Sequence, residues 1–117
     1  MGLFKKRERG KDYGIFILTR LVESGQPVKF CWRQEPDGEA GTNGWSLFSG
    51  NENEEDMGNL VLVGIRHIEQ LAPSMKEIFD APVGTELGWL YDENGSHVGY
   101  HDMASNKKVS VEEILKG

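Results

Sequence analysis

The chain has a single cysteine, Cys31, so it can form no intramolecular disulfide and no cysteine-based zinc cluster. Cys31 falls in the apolar run Val28-Lys29-Phe30-Cys31-Trp32, where a half-buried, inert thiol is expected. A reactive thiolate needs an electropositive neighbourhood and a base, and the sequence names neither. Long hydrophobic runs are missing too. Behind the basic start Met1-Gly2-Leu3-Phe4-Lys5-Lys6-Arg7, the stretch Ile15–Leu18 is too short for a secretory h-region. Lys6 also stands where a myristoylation signal requires Ser or Thr. A cytoplasmic protein with no membrane partner is expected. The third deficit is local: from Gln34 to Ile65 there is no Lys or Arg, while Glu35, Asp37, Glu39, Glu52, Glu54, Glu55 and Asp56 all fall there. Net charge is −6 over 117 residues, and outside this segment twelve acids face thirteen Lys and Arg, so the rest of the chain is nearly neutral. Such a segment repels nucleic-acid phosphates, and attracts a basic protein or a metal cation.

Motifs that carry chemistry are equally scarce. The histidines are His67, His97 and His101, with no H-E-x-x-H spacing; surface or half-buried structural histidines are the expectation. Gly44-Trp45-Ser46-Leu47-Phe48 lacks the closing glycine of a nucleophile elbow, and no phosphate-cradling glycine loop is present. Asn51-Glu52-Asn53-Glu54-Glu55-Asp56 is rich in hard oxygen ligands but does not match a calcium loop. A small-ligand or divalent-cation site on the acidic loops is the alternative to a protein interface. No catalytic residues, dedicated metal site or cofactor are expected.

What is present suits a small α+β domain. Fifteen glycines point to many turns and short strands. Residues 1–12 read as a charged lead-in and 13–117 as one domain. The apolar run Tyr13–Val22 reads as a strand, forming a hairpin with Val28–Arg33, in which Val28, Phe30 and Trp32 share one face. Trp45–Ser49 is a third strand, set between loops at 35–44 and 50–58, and Leu60–Ile65 a fourth, long enough to cross a sheet interior. Helices are expected at Arg66–Leu71 and at Ser74–Phe79, the second with Ser74 and Glu77 as a capping box. Asn94-Gly95 predicts a type I′ hairpin over Thr85–Asp102 with Trp89 opposite Tyr100, Tyr91 opposite Val98, and His97 on the face of His101. Ser110 opens a C-terminal helix. The sum is a mixed or antiparallel sheet of about five to six strands with short helices packed on one side.

The acidic segment also carries aromatics, and aromatic anchors ringed by charge are common at protein interfaces. Core positions are the expectation for Trp32 and Phe48. Trp45, preceded by glycine and flanked by two loops, fits either the core or an exposed anchor. The candidate partner-binding residues are therefore Glu35, Asp37, Trp45, Glu52, Glu54, Glu55 and Asp56.

The run Arg33-Gln34-Glu35-Pro36-Asp37, followed by Gly44-Trp45-Ser46-Leu47-Phe48-Ser49-Gly50-Asn51-Glu52, resembles the R-x-E-P-[DN] and G-W-x-x-[FL]-x-G-[DN]-E pattern of the bacterial immunity protein 33 family. The likeness extends from about Ile17 to Asp92. Thr42-Asn43 stands where the family usually has Asp-Ser, and Asn51 replaces a usual acid. The resemblance implies a small cytoplasmic protein of a polymorphic toxin system that binds and neutralises a partner toxin. A basic toxin domain would suit the one-signed segment.

Overall fold

The computed structural model describes residues 12–117; apart from Asp12, the charged lead-in lies outside the described residues. The first apolar run is divided. After strand β1 (Ile15–Leu18), Thr19 takes an extended N-cap conformation, accepts a hydrogen bond from the Val22 amide, and starts helix α1 (Arg20–Glu23). A threonine that caps a helix ends the strand before it, so the expected strand through Val22 stops at Leu18.

Strands β2 (Phe30–Arg33) and β3 (Thr42–Phe48) follow, then helix α2 (Glu54–Gly58) and strand β4 (Val61–Val63). Helices α3 (Ile65–Leu71) and α4 (Met75–Ile78) lead to β5 (Glu86–Tyr91), β6 (His97–Asp102), β7 (Lys108–Val109) and helix α5 (Val111–Lys116). Among the described residues the strands form one seven-stranded sheet, ordered β4-β1-β3-β2-β5-β6-β7. β1 and β3 run parallel, and the other neighbours are antiparallel. The fold is α+β with a mixed sheet. Its strand count exceeds the expectation through the two-residue β7. The expected β1–β2 hairpin does not form. The chain leaves β1 through α1, and the hairpin is instead β2–β3, which inserts β3 between β1 and β2. Leu60–Ile65 likewise shrinks to the three-residue edge strand β4, because Gly64 caps α3 immediately after it.

Strand alternation sorts the side chains onto two faces. Phe16, Leu18, Cys31, Trp45, Leu47, Leu87, Trp89 and Tyr100 join Val22, Ile68, Met75, Ile78 and Ile114 from the helices in one buried cluster. All the helical side chains that are buried among the described residues belong to that cluster, so α1, α3, α4 and α5 pack on one side of the sheet, while α2 buries no side chain. The register rows Leu62–Ile17–Ser46–Trp32 and Phe48–Phe30–Gly88–His101 lie on the opposite face. There Trp32 is half-buried, its ring centroid 4.2 Å from that of the buried Phe48.

The β5–β6 hairpin forms with Trp89 opposite Tyr100, but its turn differs from the expected one. Gly95 has φ +81°, whereas Asn94 is not among the positive-φ residues, so a two-residue type I′ turn is ruled out. The Asp92 carboxylate instead accepts from the Asn94 and Ser96 amides at 2.9 Å each, and the register shifts between Leu90 and Tyr91. Tyr91 therefore pairs with His97, not Val98. Val98 is left 55% exposed, and His97 enters the core side, stacked on Trp89 at 4.4 Å. His97 and His101 consequently lie on opposite faces, not on the same one.

Ser74 does precede α4 but makes no capping bond. Its hydroxyl lies 3.0 Å from His97 Nδ1, and Glu77 accepts from the Tyr100 hydroxyl at 2.8 Å. These contacts, made by residues expected to cap a helix, instead fasten α4 to the hairpin. Ser110 does cap α5, with Glu113 completing the box.

Candidate functional site

The segment with the family likeness is organised around the Phe79 carbonyl. Arg33, at the end of β2, donates from Nη1 to the Phe79 and Ala81 carbonyls at 2.8 Å each, and from Nε to the Asn43 carbonyl at 3.1 Å. Its guanidinium lies 5.7 Å from the Trp45 ring centroid and 5.2 Å from that of Phe79. Burial lowers the Arg33 pKa, Asp80 acts against that, and a guanidinium stays charged regardless. Trp45 Nε1 donates to the same Phe79 carbonyl at 3.0 Å. Asn43 holds the strand entry from inside: its side chain accepts from the Trp45 amide at 2.9 Å and donates to the Tyr13 carbonyl at 2.6 Å. Between them Gly44 has φ +91°, and a Cβ there would sit 2.0 Å from the Gln34 carbonyl oxygen. Only glycine fits.

Trp45 is 0% exposed. The anchor reading is therefore corrected: β3 lies inside the sheet, its Trp45 side faces the helices, and no surface of the ring remains for a partner. The single signal available in the sequence was Asn43-Gly44 ahead of it, which is compatible with either reading.

Glu52 is also occupied internally. One carboxylate oxygen accepts from the Thr19 hydroxyl at 2.6 Å and the Ser49 amide at 2.7 Å, and the other from the Gly50 amide at 2.9 Å. Thr19 follows β1 and Ser49 follows β3, so this carboxylate ties together the C-terminal ends of the two parallel strands. Burial raises its pKa, but the hydrogen bonds from Ser49 and Thr19 outweigh that and leave it below the usual carboxylate value. As a partner contact Glu52 is corrected to a loop-holding residue. The buried Thr19 hydroxyl gains its acceptor the same way.

The remaining acids divide into two groups. Glu35, Asp37 and Glu39 occupy the exposed loop before β3, where Asp37 accepts from the Glu39 and Ala40 amides. Glu54, Glu55 and Asp56 form the first turn of α2, beyond the other end of β3. Seven residues of strand separate the groups, about 20 Å at the usual rise. The acid-rich segment is thus two patches, not one. The second was expected to be loop. It is a helix because Asn53 accepts from the Asp56 amide at 2.8 Å while Asp56 accepts from the Asn53 amide at 3.0 Å, a capping box built from Asn and Asp. Glu54 and Glu55 project to solvent from it.

Directly after these acids come three exposed apolar residues that the sequence reading missed: Met57, Leu60 and Leu62. Reading 60–65 as an interior strand assigned Leu60 and Leu62 to the core, and Met57 fell in the expected 50–58 loop. The turn of Gly58-Asn59 and the early cap at Gly64 would have argued for a shorter strand.

Among the described residues no three His, Cys, Asp or Glu side chains are placed to hold a metal ion, and no helix is long and apolar enough to cross a membrane. Cys31 is fully buried, not half-buried, receives the Trp89 Nε1–H at 3.2 Å, and has its pKa pushed by burial up to about 12, against the opposing pull of that bond.

The immunity protein Imm33 domain matches residues 15–101, which is most of the chain. The chain belongs to the Imm33 immunity protein family. That places it among immunity proteins, whose partner is a toxin protein. No curated protein and no solved structure matches it.

Proposed function

We propose that this protein neutralises a toxin in the cytoplasm by binding it directly, through exposed carboxylates that meet a basic toxin domain, and without catalysing a reaction. The observation that carries the reading is the charge of the exposed segments flanking β3. Glu35, Asp37, Glu54 and Glu55 are exposed and Asp56 half-buried, with no Lys or Arg between Gln34 and Ile65. A surface of one sign speeds encounter with a partner of the other and rejects partners of its own sign. Within the acid-rich segment Arg33, Asn43, Gly44, Trp45 and Glu52 hold the fold, and Glu35, Asp37, Glu54 and Glu55 around them are left to solvent.

The test is co-expression. The C-terminal domain of a toxin encoded beside this chain's gene is produced in a bacterial host with and without the chain. Growth arrest relieved by the chain, with a stoichiometric complex recovered, is the expected result. Arrest that persists although the chain is soluble and abundant contradicts the reading.

A further inference from the structure

The apolar side chains beside α2 point to a more specific docking surface. Met57 is 43% exposed, Leu60 46% and Leu62 57%, three large apolar side chains within six residues. Scattered apolar residues on a surface call for no explanation, whereas a contiguous group does. Leu62 adjoins the sheet face opposite the helices, since it is the register partner of Ile17, which is only half-buried, and Met57 and Leu60 lie on the short stretch of chain that runs from the end of α2 into β4. β4 ends the sheet and pairs only with β1 among the described strands, so its outer backbone edge has no described strand beside it. Edge strands are blunted by shortness, by a charge or by a proline; β4 is only three residues long, and Leu60-Val61-Leu62-Val63 carries neither charge nor proline. The carboxylates of Glu54 and Glu55 stand on the turn of chain just before this group.

We propose that α2 and the β4 edge together are the toxin-docking surface, taking a protein face that presents lysine and arginine around an apolar centre. The proposal rests on the immunity reading above and names the part of the surface that does the work. Met57, Leu60 and Leu62 are the anchors excluded from water on binding, and Glu54 and Glu55 form the charged rim that steers the partner. The charge selects this occupant over a second copy of the chain. Pairing β4 with its own copy would bring two sets of Glu54, Glu55 and Asp56 together with no basic residue from the same stretch to offset them. The loop bearing Glu35 and Asp37, at the far end of β3, adds long-range negative charge to the encounter but lies outside the contact footprint.

The experiment titrates the purified C-terminal domain of the toxin encoded beside this chain's gene with three proteins. These are the wild type, a variant carrying Met57→Ser, Leu60→Ser and Leu62→Thr, and a control carrying Val83→Ser, Val98→Thr and Met103→Ser, which trims equally exposed apolar residues elsewhere. The wild type binds, the first variant weakens by about 100-fold, and the control stays within about threefold, as expected when a few central anchors carry an interface. Should the first variant melt at a lower temperature than the wild type, Glu54→Lys with Glu55→Lys replaces it; both side chains are exposed, and about tenfold weaker binding is expected. Equal binding by the wild type and both of these variants overturns the docking surface and leaves the immunity reading standing. No binding by the wild type removes both. A wild-type dimer that the first variant converts to monomer assigns β4 to self-association and overturns the proposal.

Discussion

Arg33 and Trp45 donate to one acceptor, the Phe79 carbonyl oxygen, at 2.8 and 3.0 Å. Arg33 ends β2 and Trp45 lies in β3, so one backbone oxygen beyond α4 pins two strands of the sheet to the helical layer. Arg33, Gly44, Trp45 and Glu52, four of the residues that make this segment recognisable as family sequence, are thus among those that assemble the fold. Trp45→Phe keeps most of the buried ring and loses the indole N–H bond. A stability loss of about 2 kcal/mol is expected, from the missing bond and the vacated volume, measured by denaturant unfolding. Affinity of the folded fraction for a partner is expected to be unchanged, because the ring is wholly inside.

Gly44→Ala tests the strand entry. A methyl group there meets the Gln34 carbonyl oxygen, on a backbone already at positive φ. The loss is expected to exceed about 2 kcal/mol, well beyond an ordinary glycine-to-alanine change at a free position. Thermal melting of the purified variant reads it directly, and a wild-type melting temperature contradicts this account of β3.

Glu52 gives a pH dependence with a definite sign. Its folded pKa lies below the usual value, so its contribution is fully present above the unfolded pKa of about 4.3 and is lost as pH falls through the folded value. Glu52→Gln is expected to cost about 1–2 kcal/mol at pH 7, moderated by the partial exposure of the carboxylate. The gap between wild type and variant should narrow below about pH 4.3. Urea unfolding across pH 3–7 checks it. A gap that is constant over this range contradicts the assignment.

Cys31 is expected to be inert. With the thiol fully buried and its pKa near 12, native protein should not react with a thiol reagent at pH 8, while urea-unfolded protein reacts with one equivalent.

Much of the framework was legible in the sequence, and the failures have local causes. The β5–β6 hairpin follows from Gly95 and the aromatic alternation, but its register does not: a single extra residue in the turn decides whether Val98 or His97 faces inward, and Asn94 is compatible with both turns. Ser110 and Glu113 announce α5 because nothing competes for them, whereas Ser74 and Glu77 carry the same signature and are drawn to His97 and Tyr100 instead. The burial of Trp45 depends on which strands flank β3. That is a matter of long-range topology, and no spacing within the segment encodes it. The acids of the candidate site were visible as composition, but not their division between the two ends of β3, nor the exposure of Met57, Leu60 and Leu62 beside one of them.

The central claim is that α2 and β4 face the toxin while the Glu35–Glu39 loop does not. Amide hydrogen exchange of the chain, alone and saturated with its partner toxin domain, tests it most directly. The account predicts slowed exchange over residues 54–63 on binding, with residues 34–41 unchanged. Protection confined to residues 34–41, with 54–63 exchanging as in the free protein, would contradict it.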